Sequence, residues 1–333
     1  MADTNLQVLL RRRPVGAPVP EDFEIVETPV PTPGPGEVLV RARFLSLDPS
    51  MRGRMSEAKS YAKPVDLDAV MEGQTAGEVV ASNAPGFAPG DTVLGGSGWQ
   101  RFSCVAPARL FKVDPGEAPL SASLGVLGMP GLTAWVGLED IGTPKAGETV
   151  VVSAASGAVG QVAGQIAKIR GCTVVGVAGG EAKCRFVAEE LGFDACIDHR
   201  GDLRAEFDAH CPRGIDVYWE NVGGEVQREV FPRMNDFGRM VMCGMIAEYN
   251  DTQIRPGPNL MAVVRKRLRI QGFIVSDSGW PRYPQFRREM LGWMREGRMR
   301  WREDVVEGLR RAPEAFIGLL KGENFGKLVV KVD

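Results

Sequence analysis

The chain has 333 residues, 44% hydrophobic and 25% charged, with 40 Lys+Arg against 42 Asp+Glu and a net charge of −2. That length suggests two domains of about 150 residues each, with the composition of an ordinary globular protein. The balanced charge gives no electrostatic reason for nucleic acid or a membrane surface as partner, and no apolar stretch approaches the roughly 20 residues of a membrane span.

The first third is rich in Pro and Gly. Its strand-like runs are Leu6–Leu10, Phe23–Glu27, Val38–Leu47, Ala76–Ser82, Asp91–Leu94 and Phe102–Ala106, divided by turn clusters at 31–37 and 83–91. Short strands so punctuated predict a β-rich, barrel-like domain. From about residue 148 the rhythm changes. Six strand-like runs (148–153, 173–178, 194–198, 215–219, 239–243 and 268–275) alternate with helical patterns, which predicts a doubly wound parallel sheet of the Rossmann kind. The tail adds helices over Arg287–Arg295 and Pro313–Leu320 and a strand over Gly326–Val332, expected to pack back on the first domain. The expected division is 1–125 with 300–333 against 126–299.

Within the second part, ETVVVSAASGAVG (148–160) is the most informative stretch. A β-branched run ends in small residues, Gly157 and Gly160 follow at a spacing of three, and helical periodicity begins at Val159, Val162, Ala163 and Ile166. Strand, tight turn and helix in this order let a pyrophosphate approach the backbone and meet the first amides of the helix. Ala155 stands where the dinucleotide fingerprint has its first glycine. The next strand ends in Ala178-Gly179-Gly180 with no acidic residue to hold a ribose 2′-OH, and Lys183 and Arg185 follow. Those cations suit a 2′-phosphate or a solvated helix face, and residue type alone leaves the two readings level.

Six cysteines (Cys104, Cys172, Cys184, Cys196, Cys211 and Cys243) are scattered without a CxxC pair. That pattern fits reduced thiols in a cytoplasm. The N-terminal charges follow the short apolar run, the reverse of a secretory signal. A catalytic zinc needs about three protein ligands. The two histidines, His199 and His210, lie near no such set, so no zinc mechanism is expected.

AASGAVGQVAGQIAK (154–168), GCTVVGVAGGEAKC (171–184), GIDVYWENVGG (214–224), CGMIAEYN (243–250), LRIQGFIV (268–275) and FIGLLKGENFGKLVV (316–330) together resemble the zinc-independent medium-chain reductases. This is the group of prostaglandin reductases, plant alkenal reductases and bacterial curcumin-type reductases. SLDPSMRGRM (46–55) and GVLGMPGLTAW (125–135) extend the likeness nearly end to end. The resemblance implies a GroES-like substrate domain beside the Rossmann domain, NADP(H) as cofactor and a homodimer. It implies pyrophosphate contacts from Gly157, Ala158, Val159 and Gly160, and a 2′-phosphate contact from Lys183. Asn221 would lie near the ribose or pyrophosphate, Cys243 to Tyr249 under the cofactor, Phe273, Ile274 and Val275 at the carboxamide, and Asn324 at the cofactor from the tail. Asn221 and Asn324 equally suit turns.

Two positions depart from the group. His199 stands where prostaglandin reductases have a Tyr at the phosphate pocket, and Ser50 replaces a Tyr that lines the substrate cleft. The implied reaction is hydride addition to the β-carbon of an α,β-unsaturated ketone or aldehyde. Tyr249, with the nicotinamide ribose hydroxyl, is the expected donor to the developing enolate, though its ring also suits simple packing in a loop. Quinone reduction and a non-catalytic NADPH sensor are the alternatives. Trp99 suits either the cleft wall or a packed hairpin. The basic run 264–269 reads as a solvated helix end, and 287–303 as a helix with a core-facing or interface-facing apolar side.

Overall fold

The computed structural model describes residues 4–333. Fifteen strands build it. The first part holds β1 (Thr4–Leu10), β2 (Phe23–Pro29), β3 (Val38–Ser46), β4 (Thr75–Ser82), β5 (Thr92–Gly95), β6 (Phe102–Val105) and β7 (Leu110–Lys112). The middle holds β8 (Thr149–Ser153), β9 (Thr173–Ala178), β10 (Ala195–Asp198), β11 (Ile215–Glu220), β12 (Met234–Met242) and β13 (Arg269–Gly272). β14 (Glu303–Glu307) and β15 (Lys327–Lys331) close the chain.

The middle strands form a six-stranded parallel sheet in the order β10-β9-β8-β11-β12-β13. Counted from β8 this is 3-2-1-4-5-6, the doubly wound dinucleotide order. β8 is buried along its whole length, as expected of a central strand covered on both faces. The helix Gly160–Ile169 packs on it and buries Val162, Ala163, Ile166 and Ala167. Gly164 is required there because a Cβ would stand 1.7 Å from the Phe193 ring.

The remaining strands form a seven-stranded, mostly antiparallel sheet in the order β14-β15-β3-β4-β5-β7, with β6 on β3, and a β1–β2 ribbon. β15 pairs with β3 in register Val330↔Leu45, so the tail is sewn into the first sheet. Trp99 is fully buried here, stacked on Phe23 with centroids 5.7 Å apart and edge-on to Phe316 at 5.6 Å. It belongs to the core and does not line the cleft.

The sixth parallel strand is shorter than the run 268–275 suggests. It stops at Gly272, and Phe273 turns edge-on to Trp219 with centroids 6.1 Å apart before a short helix at Val275–Ser278. All four residues of β13 are exposed, since it is the edge of the sheet. The basic run 264–269 caps the short helix Met261–Lys266, with Arg267 in the left-handed region. In the helix Tyr283–Arg295 the apolar side is core, burying Phe286 and Met290.

Candidate active site

A cavity of about 880 Å³ is lined by residues of both large sheets and their connections. It lies at the carboxyl ends of β8, β9 and β11, where the strand order reverses and open α/β sheets bind ligands. Ser50, Gly157, Ala158, Val159, Gly160, Lys183, His199, Asn221, Cys243, Tyr249, Phe273, Ile274, Val275 and Asn324 all border it.

The turn after β8 takes its left-handed conformation at Ala154, with φ +48°. Gly157 N closes the turn on Ala154 O at 2.9 Å. A Cβ on Gly160 would meet Ala154 O at 2.3 Å, so only glycine lets the helix start so close to the strand end. Ala155 fills the position of the missing fingerprint glycine as a buried residue beside Gly176. The amides of Ala158, Val159 and Gly160 find no acceptor among the described residues. They are the orphan donors of a helix N-terminus, open to the cavity.

At the end of β9 the next connection folds back over Gly179 and Gly180. A Cβ on Gly179 would stand 2.8 Å from His199 Nε2, and one on Gly180 2.9 Å from Arg200 Nη1. Asp198 fixes this corner by accepting from Gly180 N at 2.9 Å and Arg200 N at 3.1 Å, and the Gly180 bond chiefly holds its carboxyl below the usual range. Lys183 Nζ donates to Gly322 O at 2.6 Å, and its pKa is lowered first by burial and then by neighbouring Arg200. Three cationic or potentially cationic groups, Lys183, His199 and Arg200, thus meet at one end of the cavity. Arg200 ends the stretch LGFDACIDHR (191–200), which shares the family resemblance, but the sequence alone assigns it no role beside His199.

Asn221 carries a structural duty. Its Nδ2 donates to Ser153 O at 2.7 Å, its Oδ1 accepts from Trp219 Nε1 at 3.1 Å, and its backbone N reaches Ser153 Oγ at 2.8 Å. It thereby ties the ends of β8 and β11 together at the cavity wall. Asn324 likewise donates to Gly326 O at 2.8 Å, a turn contact.

Tyr249 follows the single turn Ile246–Glu248. Its hydroxyl packs against Gly244, where a Cβ would stand 2.7 Å from Oη. Burial, with smaller contributions from Cys243 and Tyr61, pushes the phenol up to about 12 against the opposing Met245 amide. It is therefore a neutral donor at ordinary pH. Burial, with nearby Glu220, also pushes the Cys243 thiol up to about 12. A side cavity of about 180 Å³ opens beside Tyr249, lined by Ser50, Gly53, Arg54, Ser60, Tyr61 and Ala62. Tyr61 carried no motif and Arg54 no role within 46–55, and their place beside the side cavity follows only from the fold. The floor is closed by Lys327, whose buried Nζ donates to Leu47 O at 2.8 Å and Asp48 Oδ1 at 2.9 Å.

Among the described residues no group of three or more His, Cys, Asp or Glu side chains converges, so they do not fit a zinc site. They do fit a dinucleotide. The open amides and the glycine approach suit a pyrophosphate, and the cationic corner suits a 2′-phosphate.

Two family models match the chain: the N-terminal domain of oxidoreductase over residues 6–113, and zinc-binding dehydrogenase over residues 158–293. The NADPH-dependent curcumin reductase of Escherichia coli (strain K12) is 52% identical, with 98% of this chain and 97% of that protein covered. The 2-alkenal reductase (NADP(+)-dependent) of Nicotiana tabacum is 40% identical over 99% of this chain and 98% of that one. The crystal structure of CurA in complex with NADPH from Vibrio vulnificus superposes with a TM-score of 0.94 at 47% identity, covering 98% of this chain and 99% of that one.

Proposed function

The chain belongs to the zinc-independent medium-chain dehydrogenases/reductases, in the group that includes bacterial curcumin reductases and plant alkenal reductases, and from that premise we propose that it is an NADPH-dependent reductase of the C=C bond in α,β-unsaturated ketones and aldehydes. The observation that carries this reading is the meeting, in one cavity, of the open amides at Ala158–Gly160 with the neutral Tyr249 phenol. The coenzyme supplies the hydride that adds to the β-carbon.

The protein's part is to bind, orient and donate. The amides of Ala158, Val159 and Gly160 take the pyrophosphate, and Lys183, His199 and Arg200 take the 2′-phosphate, which selects NADPH over NADH. Asn221 holds the turn they share, and Cys243 lies under the coenzyme. Phe273, Ile274 and Val275 wall the nicotinamide end, with Asn324 approaching from the tail. Tyr249 Oη–H donates to the carbonyl oxygen on which negative charge develops. Apolar Met129, Pro130 and Trp280 keep water from that end. Ser50 and the side cavity receive the substituent beyond the carbonyl.

The assembly is a homodimer on this reading, supported by the exposed edge β13 and the exposed apolar Leu260, Met261 and Val264 just before it. The six free thiols support a cytoplasmic setting. On this reading the domains divide as 1–125 with 300–333 against 126–299, supported by β1–β7, β14 and β15 all lying outside the parallel sheet.

The test is to follow NADPH oxidation with an enone, with a quinone, and with neither, and to identify the product by mass spectrometry. Formation of the saturated carbonyl supports the reading. Turnover of the quinone alone, or binding without oxidation, rejects it.

A further inference from the structure

We propose that Cys184 and Cys196 are a reversible oxidation site, closing to a disulfide that loosens the grip on the coenzyme's 2′-phosphate. The two lie 12 residues apart in the chain, one in the short helix Glu181–Arg185 and one in β10, yet their sulfurs meet at 3.0 Å with Cys196 Sγ donating to Cys184 Sγ. A disulfide needs about 2.05 Å, so closure draws the sulfurs together by about 1 Å. Both are partly exposed. Cys172 is turned elsewhere, donating to Lys145 O at 3.2 Å.

The contact sets the order of events. Burial raises both thiols, Cys196 the further, while the Cys196 S–H favours the Cys184 thiolate. Cys184 is therefore the nucleophile. With hydrogen peroxide as oxidant, the Cys184 thiolate attacks one peroxide oxygen, breaks the O–O bond and becomes a sulfenic acid. The hydroxide released takes up a proton as water. The Cys196 sulfur then attacks the Cys184 sulfur, the S–S bond forms, and the sulfenic oxygen leaves as a second water with the Cys196 proton. Two thiols and one peroxide give one disulfide and two waters, and a dithiol reverses the change by exchange.

The consequence rests on the reading of the cationic corner as the 2′-phosphate site. Lys183 precedes Cys184, and its Nζ is set by Gly322 O at 2.6 Å. Asp198, two residues beyond Cys196, holds Gly180 N and Arg200 N. Drawing the helix onto β10 shifts Lys183 against His199 and Arg200, which stand on the other side of the corner.

The experiment compares the reduced full-length protein, the peroxide-treated protein, and the treated protein restored with dithiothreitol, for wild type, Cys184→Ser and Cys196→Ser. Peptide mapping after alkylation is expected to find Cys184 joined to Cys196. KM for NADPH should rise about tenfold, the loss of one charge-assisted hydrogen bond, with kcat within about twofold. Dithiothreitol should restore it, and neither Ser variant should respond. Absence of the linked peptide overturns the site. A linked peptide with unchanged KM overturns its coupling to the coenzyme, and an equal response in the Ser variants assigns the effect to another thiol and overturns the proposal. A reduced wild-type protein that does not oxidise NADPH sinks the functional reading and the coupling with it, while the peptide map still decides the disulfide.

Discussion

On the proposed reading, the coenzyme end of the cleft grips the pyrophosphate with backbone amides set by the end of β8, with the buried helix Gly160–Ile169 behind them, and adds the side chains of Lys183, His199 and Arg200 only at the 2′-phosphate. At the end proposed for the substrate the lining is side chains on connections: Ser50, Tyr61, Tyr249 and Trp280. Main chain anchored to a central strand is rigid and indifferent to most side-chain changes. Its weak points are the glycines where backbone meets backbone. Side chains on loops can be exchanged singly, so on the proposed reading that end would set which substrate enters while the pyrophosphate grip stays constant.

The sharpest way to break this contrast is Gly160→Ala. Its Cβ would press on Ala154 O, and the three open amides would move off the pyrophosphate. We expect at least about a thousandfold weaker NADPH binding by titration, with a lowered melting temperature from overpacking. Binding within tenfold of wild type would show that the amides do not hold the coenzyme.

Tyr249→Phe should leave coenzyme affinity alone and lower kcat on enones about a hundredfold, between modest proton assistance and loss of one oxyanion donor. Because burial keeps the phenol protonated up to about 12, wild-type kcat should show no alkaline limb from Tyr249 until the pH approaches that value. A limb near neutrality that vanishes in the Phe variant would contradict a neutral donor.

Lys183→Ala should raise KM for NADPH about tenfold and leave that for NADH nearly unchanged, as one charge-assisted contact is lost. An equal rise for both coenzymes would move the 2′-phosphate away from this corner. Ser50→Tyr should fill the side cavity and change relative kcat/KM for bulky against small enones about threefold, the low end of what one pocket group discriminates. No change in that ratio would detach Ser50 from substrate choice.

Much of the fold was legible. The runs ending at Leu10, Ser82 and Ala178 end as strands at those residues, because β-branched alternation and Pro-Gly punctuation act within a few residues. β7 and β14 were not legible. One has three residues and the other, EDVVE, reads as polar, since each pairs at a sheet edge with little to bury. The run 268–275 read too long because the apolar pattern continues through Phe273 after the ladder has ended. In the site, the glycine elbow was readable from residue type and spacing, whereas Lys183 on residue type alone stood level with a solvated helix face. The bonds of Asn221 and Asn324, which hold turns, were visible only as alternatives.

From the sequence alone come the alternation that makes a doubly wound sheet, the glycine elbow after β8, and a second strand ending without an acidic residue but with a lysine to follow. Each is encoded within one turn or strand, where hydrophobic period and backbone freedom are local properties. The tertiary structure alone decided that Trp99 is core, that Arg200 joins Lys183 and His199, that Gly244 seats the Tyr249 hydroxyl, and that two of six scattered cysteines touch. These depend on which strands become neighbours and in what register, and no short stretch of chain contains that information.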